Sequence, residues 1–271
     1  MGDEGCDKGC DKDCEKGRFA DTHWMLRLDQ ALVERGLCES REKAKRAVMA
    51  GLVRINGGLA RKPSDAIKPD DQIELAAPEK YVSRGGLKLE HALEHFDVEV
   101  AGQTAIDIGA STGGFTDCLL QRGAARVYAV DVGQGQLAWK LRRDPRVVVM
   151  EKTNARQLTP ASFPLPFTPA DLAVIDCSFI SLQKILPAAV ALLRRSGKIV
   201  ALIKPQFEAG KAEADRGAGV ITDPAIHERV LEELKQYAGG LPGWQWRGVT
   251  PSPILGPAGN KEFLVLIEKT G

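Results

Sequence analysis

The sequence predicts an α/β protein: a Rossmann-like, mostly parallel sheet preceded by a small α/β domain. Three observations point there. First, apolar β-rich runs recur at 104–108, 126–130, 146–150, 172–175, 198–203 and 262–267, with helix-like stretches such as 182–195 and 225–237 between several of them. Such alternation builds a parallel sheet covered by helices on both faces. Second, a glycine-rich turn, Asp107-Ile108-Gly109-Ala110-Ser111-Thr112-Gly113-Gly114-Phe115, follows the first run. Ligands of open α/β sheets sit at the carboxyl ends of strands. Third, Pro78 separates this block from a shorter one with its own helix and strand signals.

With 271 residues, 44% of them apolar, the chain has room for one small and one medium domain. The expected boundaries are a polar, disordered tail over 1–24, a small domain over 25–77, a linker over 78–84 and the large domain over 85–271. A formal net charge of +1 means that any nucleic-acid surface must be local. No apolar run approaches the roughly 20 residues that span a bilayer, and residues 1–19 lack the apolar stretch of a signal peptide. The chain therefore reads as cytoplasmic, with no membrane partner. Nothing in it sets an oligomeric state.

Cys38, Cys118 and Cys177 lie in or beside apolar segments and read as reduced thiols. Cys6, Cys10 and Cys14 recur every four residues in the polar tail. They could share a helix face and hold a soft metal, but no histidine or fourth cysteine follows at a structural-zinc spacing. No metal is expected.

In the small domain, Leu28, Ala31 and Leu32 fall at helical spacing, with Gly36 to cap. Ser40 is a good N-cap for a second helix carrying Ala44, Ala47 and Val48. Residues 52–55 read as a strand, Asn56-Gly57 as a tight turn, and 73–75 as a closing strand. Arg41, Lys43, Lys45, Arg46, Arg54, Arg61 and Lys62 stand against one acid, Glu42. Such a surface suits phosphate contacts on folded RNA, or is simply a solvated helix face.

The glycine turn is spaced G-x-x-x-G-G, unlike the G-x-G-x-x-G of dinucleotide sites. Its glycines let backbone pass close to a ligand. A carboxylate at Asp107 would repel a diphosphate. It suits a ligand with an ammonium group, such as the methionine end of S-adenosylmethionine. The expected donor site is Asp107, Gly109, Ala110, Ser111, Gly113, Gly114 and Phe115. Asp131 ends the second strand, where an acid can take ribose hydroxyls. Asn154 and Ala155 follow the third and could frame an adenine, and Asp176 ends the fourth.

Lys88, Asp176, Lys204 and Glu262 stand at or beside strand ends. Given a parallel sheet with an antiparallel final strand, all four can face one crevice. The stretch 208–219, rich in Gly, Ala and mixed charge, reads as a mobile loop over the site.

Three resemblances sharpen this reading. RLDQALVERGLCESREKAKRAVMAGLVRING, from Arg27 to Gly57, resembles the S-four type RNA-binding module of a small-subunit ribosomal protein. The Lys-Asp-Lys-Glu order resembles the FtsJ-like ribose 2'-O-methyltransferases. The runs 81–89, 109–115, 131–139, 176–182 and 204–208 make the chain similar to the TlyA family over almost all of 25–270.

The resemblance implies an S-adenosylmethionine-dependent methyltransferase fold and 2'-O-methylation of cytidine in ribosomal RNA or a ribosomal subunit. It implies catalytic roles for Lys88, Asp176, Lys204 and Glu262, and Arg84 joins the expected RNA contacts. A chain that stops after its last strand leans toward large-subunit RNA. A free lysine titrates near 10.4, so Lys204 either takes the hydroxyl proton or polarises the oxygen. Three other readings compete: a nucleotide-dependent oxidoreductase, disfavoured by the glycine spacing; a non-catalytic RNA-binding assembly factor; and a membrane-lytic haemolysin, a label that relatives have carried.

Overall fold

A computed structural model describes residues 25–76 and 79–270. The expected disordered tail, with Cys6, Cys10 and Cys14, lies outside the described residues. The chain divides into two compact units, with the break between residues 78 and 79.

In the smaller unit, β1 (Leu26–Arg27) leads into α1 (Leu28–Glu34), and α2 (Arg41–Met49) follows. Ser40 caps α2 by accepting from the Lys43 amide, which satisfies one of the orphan donors of the first turn. Then come β2 (Val53–Ile55), β3 (Gly58–Leu59), β4 (Ala66–Ile67) and β5 (Ile73–Leu75). The β2–β3 hairpin closes through Asn56 and Gly57, both at positive φ, as a two-residue hairpin turn requires. Leu28, Ala31, Leu32, Ala44, Val48, Val53 and Ile67 bury a small core of their own.

The larger unit starts on α3 (Gly85–His95), followed by β6 (Thr104–Ile108), α4 (Gly114–Gln121), β7 (Arg126–Val130), α5 (Trp139–Arg142) and β8 (Val147–Met150). Next are β9 (Ala170–Ile175), α6 (Leu186–Ala191), β10 (Leu193–Ile203), α7 (Pro205–Glu208), α8 (Lys211–Arg216) and α9 (Pro224–Gly239). The antiparallel pair β11 (Trp244–Pro251) and β12 (Phe263–Lys269) closes the unit.

The seven strands run in the order β11-β12-β10-β9-β6-β7-β8. β8, β7, β6, β9 and β10 are parallel, and β12 inserts antiparallel between β10 and β11. Two apolar layers sandwich the sheet, one around Ile106, Ile175, Ile203 and Leu234, the other around Leu89, Leu119, Val174 and Leu264. No helix among the described residues is long and apolar enough to cross a membrane.

Three local expectations differ, and one strand was not expected. The stretch 182–195 is not one helix: α6 ends at Ala191, and Leu193 already pairs with Ala170 before the ladder resumes at Lys198. β11 was not among the expected strands: its exposure alternates, but its inward positions after Trp246 are Gly248 and Thr250, so no apolar run marks it. Residues 208–219 are largely helical rather than a loop, with α8 held by Glu213, which accepts from the Gly210 amide and pairs with Arg229. The expected linker is part of the larger unit from Glu79 onward. Tyr81 is buried, and the Val82 amide donates to Asp117 Oδ2 at 2.9 Å.

Candidate active site

The carboxyl ends of β6, β9 and β10 open onto one cavity of about 640 Å3, within the range of sites that take small ligands. Its floor on one side is the glycine turn, with Gly109, Ala110, Ser111, Thr112, Gly114 and Phe115 all lining it. Its other side carries Lys88, Asp176, Lys204 and Glu262. The four charged residues, spread over 174 positions of sequence, thus face one space.

They form two pairs. Lys88 comes from α3 and Glu262 from the residue before β12, and Lys88 Nζ lies 2.5 Å from Glu262 Oε2. Both are buried, at 7% and 1% exposure. Removing either partner of such a pair leaves an uncompensated charge out of water. Lys204, directly after β10, places Nζ 2.5 Å from Asp176 Oδ1 and donates to the Ser178 hydroxyl at 3.0 Å. The Asp176 approach is a charge contact without hydrogen-bond alignment, and Asp176 Oδ1, Glu262 Oε1 and Gln206 Oε1 are buried oxygens with no hydrogen-bond partner. Buried acceptors of this kind cost free energy until a donor reaches them.

The donor half differs in detail from what its spacing suggests. Asp107 lies in β6 itself, fully buried, with Oδ2 accepting from the Thr116 hydroxyl at 2.6 Å and Oδ1 unpartnered. Burial pushes its carboxyl up to about 7; the Thr116 hydrogen bonds oppose this, while the charges of Asp176 and Asp131 add to it. The glycines answer to protein neighbours as much as to a ligand. A Cβ on Gly109 would meet the Asp176 carbonyl, one on Gly113 would enter Leu141, and one on Gly114 would meet the Ser83 hydroxyl. Gly109 and Gly113 also sit at φ +91° and +97°, a region costly to residues with a Cβ.

Asp107, Gly113, Asp131, Asn154 and Ala155 do not line the cavity; Gly109, Ala110, Ser111, Gly114, Phe115 and Asp176 do. Asp131 accepts from the Ser111 amide at 2.8 Å and the Gly133 amide at 2.7 Å, so it shapes the turn. Asn154 caps a short 3-10 turn by accepting from the Arg156 amide, and Ala155 packs on the core.

Sequence reasoning missed Ser83, Thr112, Ser178, Phe179, Gln206, Phe207 and Asn260, all of which line the cavity. Ser178, Phe179, Gln206 and Phe207 flank Asp176 and Lys204 in the chain, and that adjacency was the available signal. Asn260 is buried, accepts from the Ile221 amide and donates to the Gly219 carbonyl. Cys177 sits beside Asp176, and burial pushes its thiol up to about 12; Cys118 is likewise buried at about 12. Neither is a reactive thiolate at neutral pH. No metal-ligand cluster occurs among the described residues.

In the smaller unit the expected RNA contacts divide. Arg41 donates to the fully buried Asp29 at 3.0 Å, Lys43 pairs with Glu39, and Lys45 with Glu42 at 3.3 Å. Arg54 donates to the Gly57 carbonyl. Arg46, Arg61 and Lys62 are exposed with no carboxylate partner among the described residues. Arg84 is exposed at the cavity of the larger unit.

Known proteins carry both patterns. Residues 81–269 match the FtsJ-like methyltransferase model and residues 26–73 the S4 domain model. The 16S/23S rRNA (cytidine-2'-O)-methyltransferase TlyA of Mycobacterium tuberculosis (strain ATCC 25618 / H37Rv) is 48% identical over 241 residues, 88% of each chain. The chain belongs to the TlyA family of FtsJ-like methyltransferases. A further relative, the candidate rRNA methyltransferase YqxC of Bacillus subtilis (strain 168), is 51% identical over 90% of this chain and 86% of its own. A solved structure described as a candidate hemolysin from Streptococcus thermophilus shares 47% identity at a TM-score of 0.67, over 91% of this chain and 89% of that one. For an FtsJ-like enzyme the methyl donor is S-adenosylmethionine. The residues here fit it: cationic ammonium and sulfonium groups meet a cavity lined by Asp176 and Glu262, each with a buried carboxylate oxygen that has no hydrogen-bond partner.

Proposed function

We propose that this TlyA-family protein transfers a methyl group to the ribose 2'-hydroxyl of a cytidine in ribosomal RNA, with Lys88, Asp176, Lys204 and Glu262 as its acceptor-side machinery. The observation that carries the reading is the convergence of two lysine–carboxylate pairs on one cavity whose floor is the glycine turn. S-adenosylmethionine supplies an electrophilic methyl group on a good leaving sulfur. Everything else falls to the chain: excluding water, aligning the hydroxyl and removing its proton.

Lys204 is the group for the hydroxyl. Its ammonium has three N–H donors; one goes to Ser178, Asp176 holds the charge without taking an aligned hydrogen bond, and a donor remains for the ribose oxygen. A charge held there in advance stabilises the negative charge that develops on that oxygen as its proton passes to the neighbouring Asp176 carboxylate, whose Oδ1 has no hydrogen-bond partner. Asp176 and Ser178 fix where the ammonium points. Lys88, held by Glu262, adds a second cation on the same side.

The base has a place as well. Phe179 is 89% exposed, takes φ +62°, and lies with its ring tilted 46° to that of Phe207 at 4.9 Å between centroids. A phenylalanine held at positive φ stores strain that the fold does not need. Open at the mouth of the cavity, it gives a nucleobase lifted from its stack a surface to lie on. The S4-type unit, with Arg46, Arg61 and Lys62 exposed, supplies sequence-independent phosphate contacts. The test is methyl transfer from labelled S-adenosylmethionine to ribosomal RNA from cells lacking this protein. Label in a 2'-O-methylcytidine, lost with Lys204→Ala, is the expected result. No incorporation by the wild type would overturn the proposal.

A further inference from the structure

One exposed aromatic has no part in the chemistry above. α5 follows the donor-side acid Asp131; Leu137 just before it and Leu141 within it are buried beneath Gly113. The intervening Trp139 points the other way and is 71% exposed. It does no core packing, and its indole offers a flat apolar face with a polar N–H at the edge.

Its setting supplies positive charge. Trp139 stands within the run Trp139-Lys140-Leu141-Arg142-Arg143, which has three cations and no acid. Lys140 pairs with Asp117 at 2.9 Å and Arg142 with Glu151. Arg143 is exposed, lies one turn from Trp139 on the same face, and has no carboxylate partner among the described residues. The helix is tied to the cavity rim, since the Ala138 amide donates to the carbonyl of Thr112, a lining residue. The rim thus carries an exposed aromatic beside each of its halves, Phe179 by Asp176 and Trp139 by the glycine turn.

We propose that Trp139 and Arg143 form an RNA subsite for an unpaired nucleotide flanking the target, with the base stacked on the indole and a phosphate held by the guanidinium. Aromatic faces interleaved with cations are how proteins hold single-stranded nucleic acid without reading its sequence. The subsite rests on the RNA-substrate reading above, and it extends the substrate beyond the target nucleoside to its neighbour.

The test uses the full chain and ribosomal RNA from cells lacking this protein, with wild type, Trp139→Ala, Trp139→Phe and Arg143→Ala compared. Direct RNA binding and calorimetric binding of S-adenosylmethionine are both measured, with thermal unfolding as the check on folding. Trp139→Ala is expected to weaken RNA binding about tenfold while leaving S-adenosylmethionine affinity within about twofold. Trp139→Phe, which keeps a stacking face, recovers most of the RNA affinity. Arg143→Ala weakens RNA binding less and flattens its salt dependence by about one phosphate contact.

Unchanged RNA affinity in Trp139→Ala would overturn the subsite. So would a loss confined to S-adenosylmethionine, which would assign the indole to the donor, and so would a phenylalanine variant no better than alanine. A wild type that binds this RNA but transfers no methyl group would defeat the proposed function alone, and the binding comparison would still decide the subsite.

Discussion

The two halves of the cavity are built from different materials. The donor half is backbone: positive-φ glycines at 109 and 113, fixed from behind by Asp107 and Asp131 through hydrogen bonds to Thr116, Ser111 and Gly133. The acceptor half is side chain: two lysines held by two carboxylates from elements far apart in sequence. A backbone site fails by misfolding and loses its ligand. A side-chain site can lose its chemistry while the fold and the other ligand stay.

The largest expected effect breaks the acceptor half alone. Lys204→Ala should lower the methyl-transfer rate by about 10²–10³-fold, with S-adenosylmethionine affinity within about threefold, checked by single-turnover transfer and calorimetry. Near-normal turnover would remove Lys204 from the mechanism. The second pair adds a stability cost that the exposed-edge pairs do not share. Lys88→Ala leaves Glu262 charged and buried, and urea unfolding should show a loss of about 3 kcal/mol. Pairing it with Glu262→Gln should return part of that loss.

On the donor side, Gly113→Ala forces a Cβ against Leu141 at φ +97°. It should cost about 1–3 kcal/mol and weaken S-adenosylmethionine binding along with stability. Such joint loss is the mark of a backbone-built half.

A smaller effect is set by pH. Asp107 is raised from 3.8 to about 7 by burial. Between those values the folded state binds more protons than the unfolded one, so this group's contribution to stability is fullest below pH 4 and is lost as pH rises through 7. Comparing urea midpoints from pH 4 to pH 8, Asp107→Asn should gain on the wild type as pH rises.

The smallest effect concerns the tie between the two acceptor loops. Glu208, raised by burial, accepts from the Leu182 amide at 2.8 Å and so joins the segment after Lys204 to the one after Asp176. Glu208→Ala should lower kcat/KM for RNA by about five- to tenfold, the cost of one buried hydrogen bond. Glu208→Gln, which keeps an acceptor oxygen, should largely restore it.

The same contrast explains what could be read in the sequence. The donor turn is contiguous, so Gly109 to Phe115 marks itself by spacing, and β6, β7 and β9 mark themselves as apolar runs. The acceptor half is assembled over long range. Asp176, Lys204 and Glu262 were visible at strand ends and Lys88 on the helix before the first strand, but which lysine pairs with which acid depends on β12 entering antiparallel beside β10. Ser178 and Gln206 act only through neighbours brought close by the sheet. β11 was invisible because its inward face continues after Trp246 with Gly248 and Thr250, while Val249 points outward, so hydropathy does not follow its alternation. The glycines were recognised for their freedom, yet Gly113 is required by Leu141, a neighbour 28 positions away that spacing does not reveal. Arg41 read as an RNA contact, and it neutralises the buried Asp29.

The account stands on a ribose hydroxyl reaching Lys204 above the glycine turn. The most direct measurement is a map of 2'-O-methyl marks on both ribosomal RNAs from cells with the protein, without it, and with only the Lys204→Ala form. The account predicts at least one cytidine mark present with the wild type and absent in the other two. Identical maps in all three would contradict it.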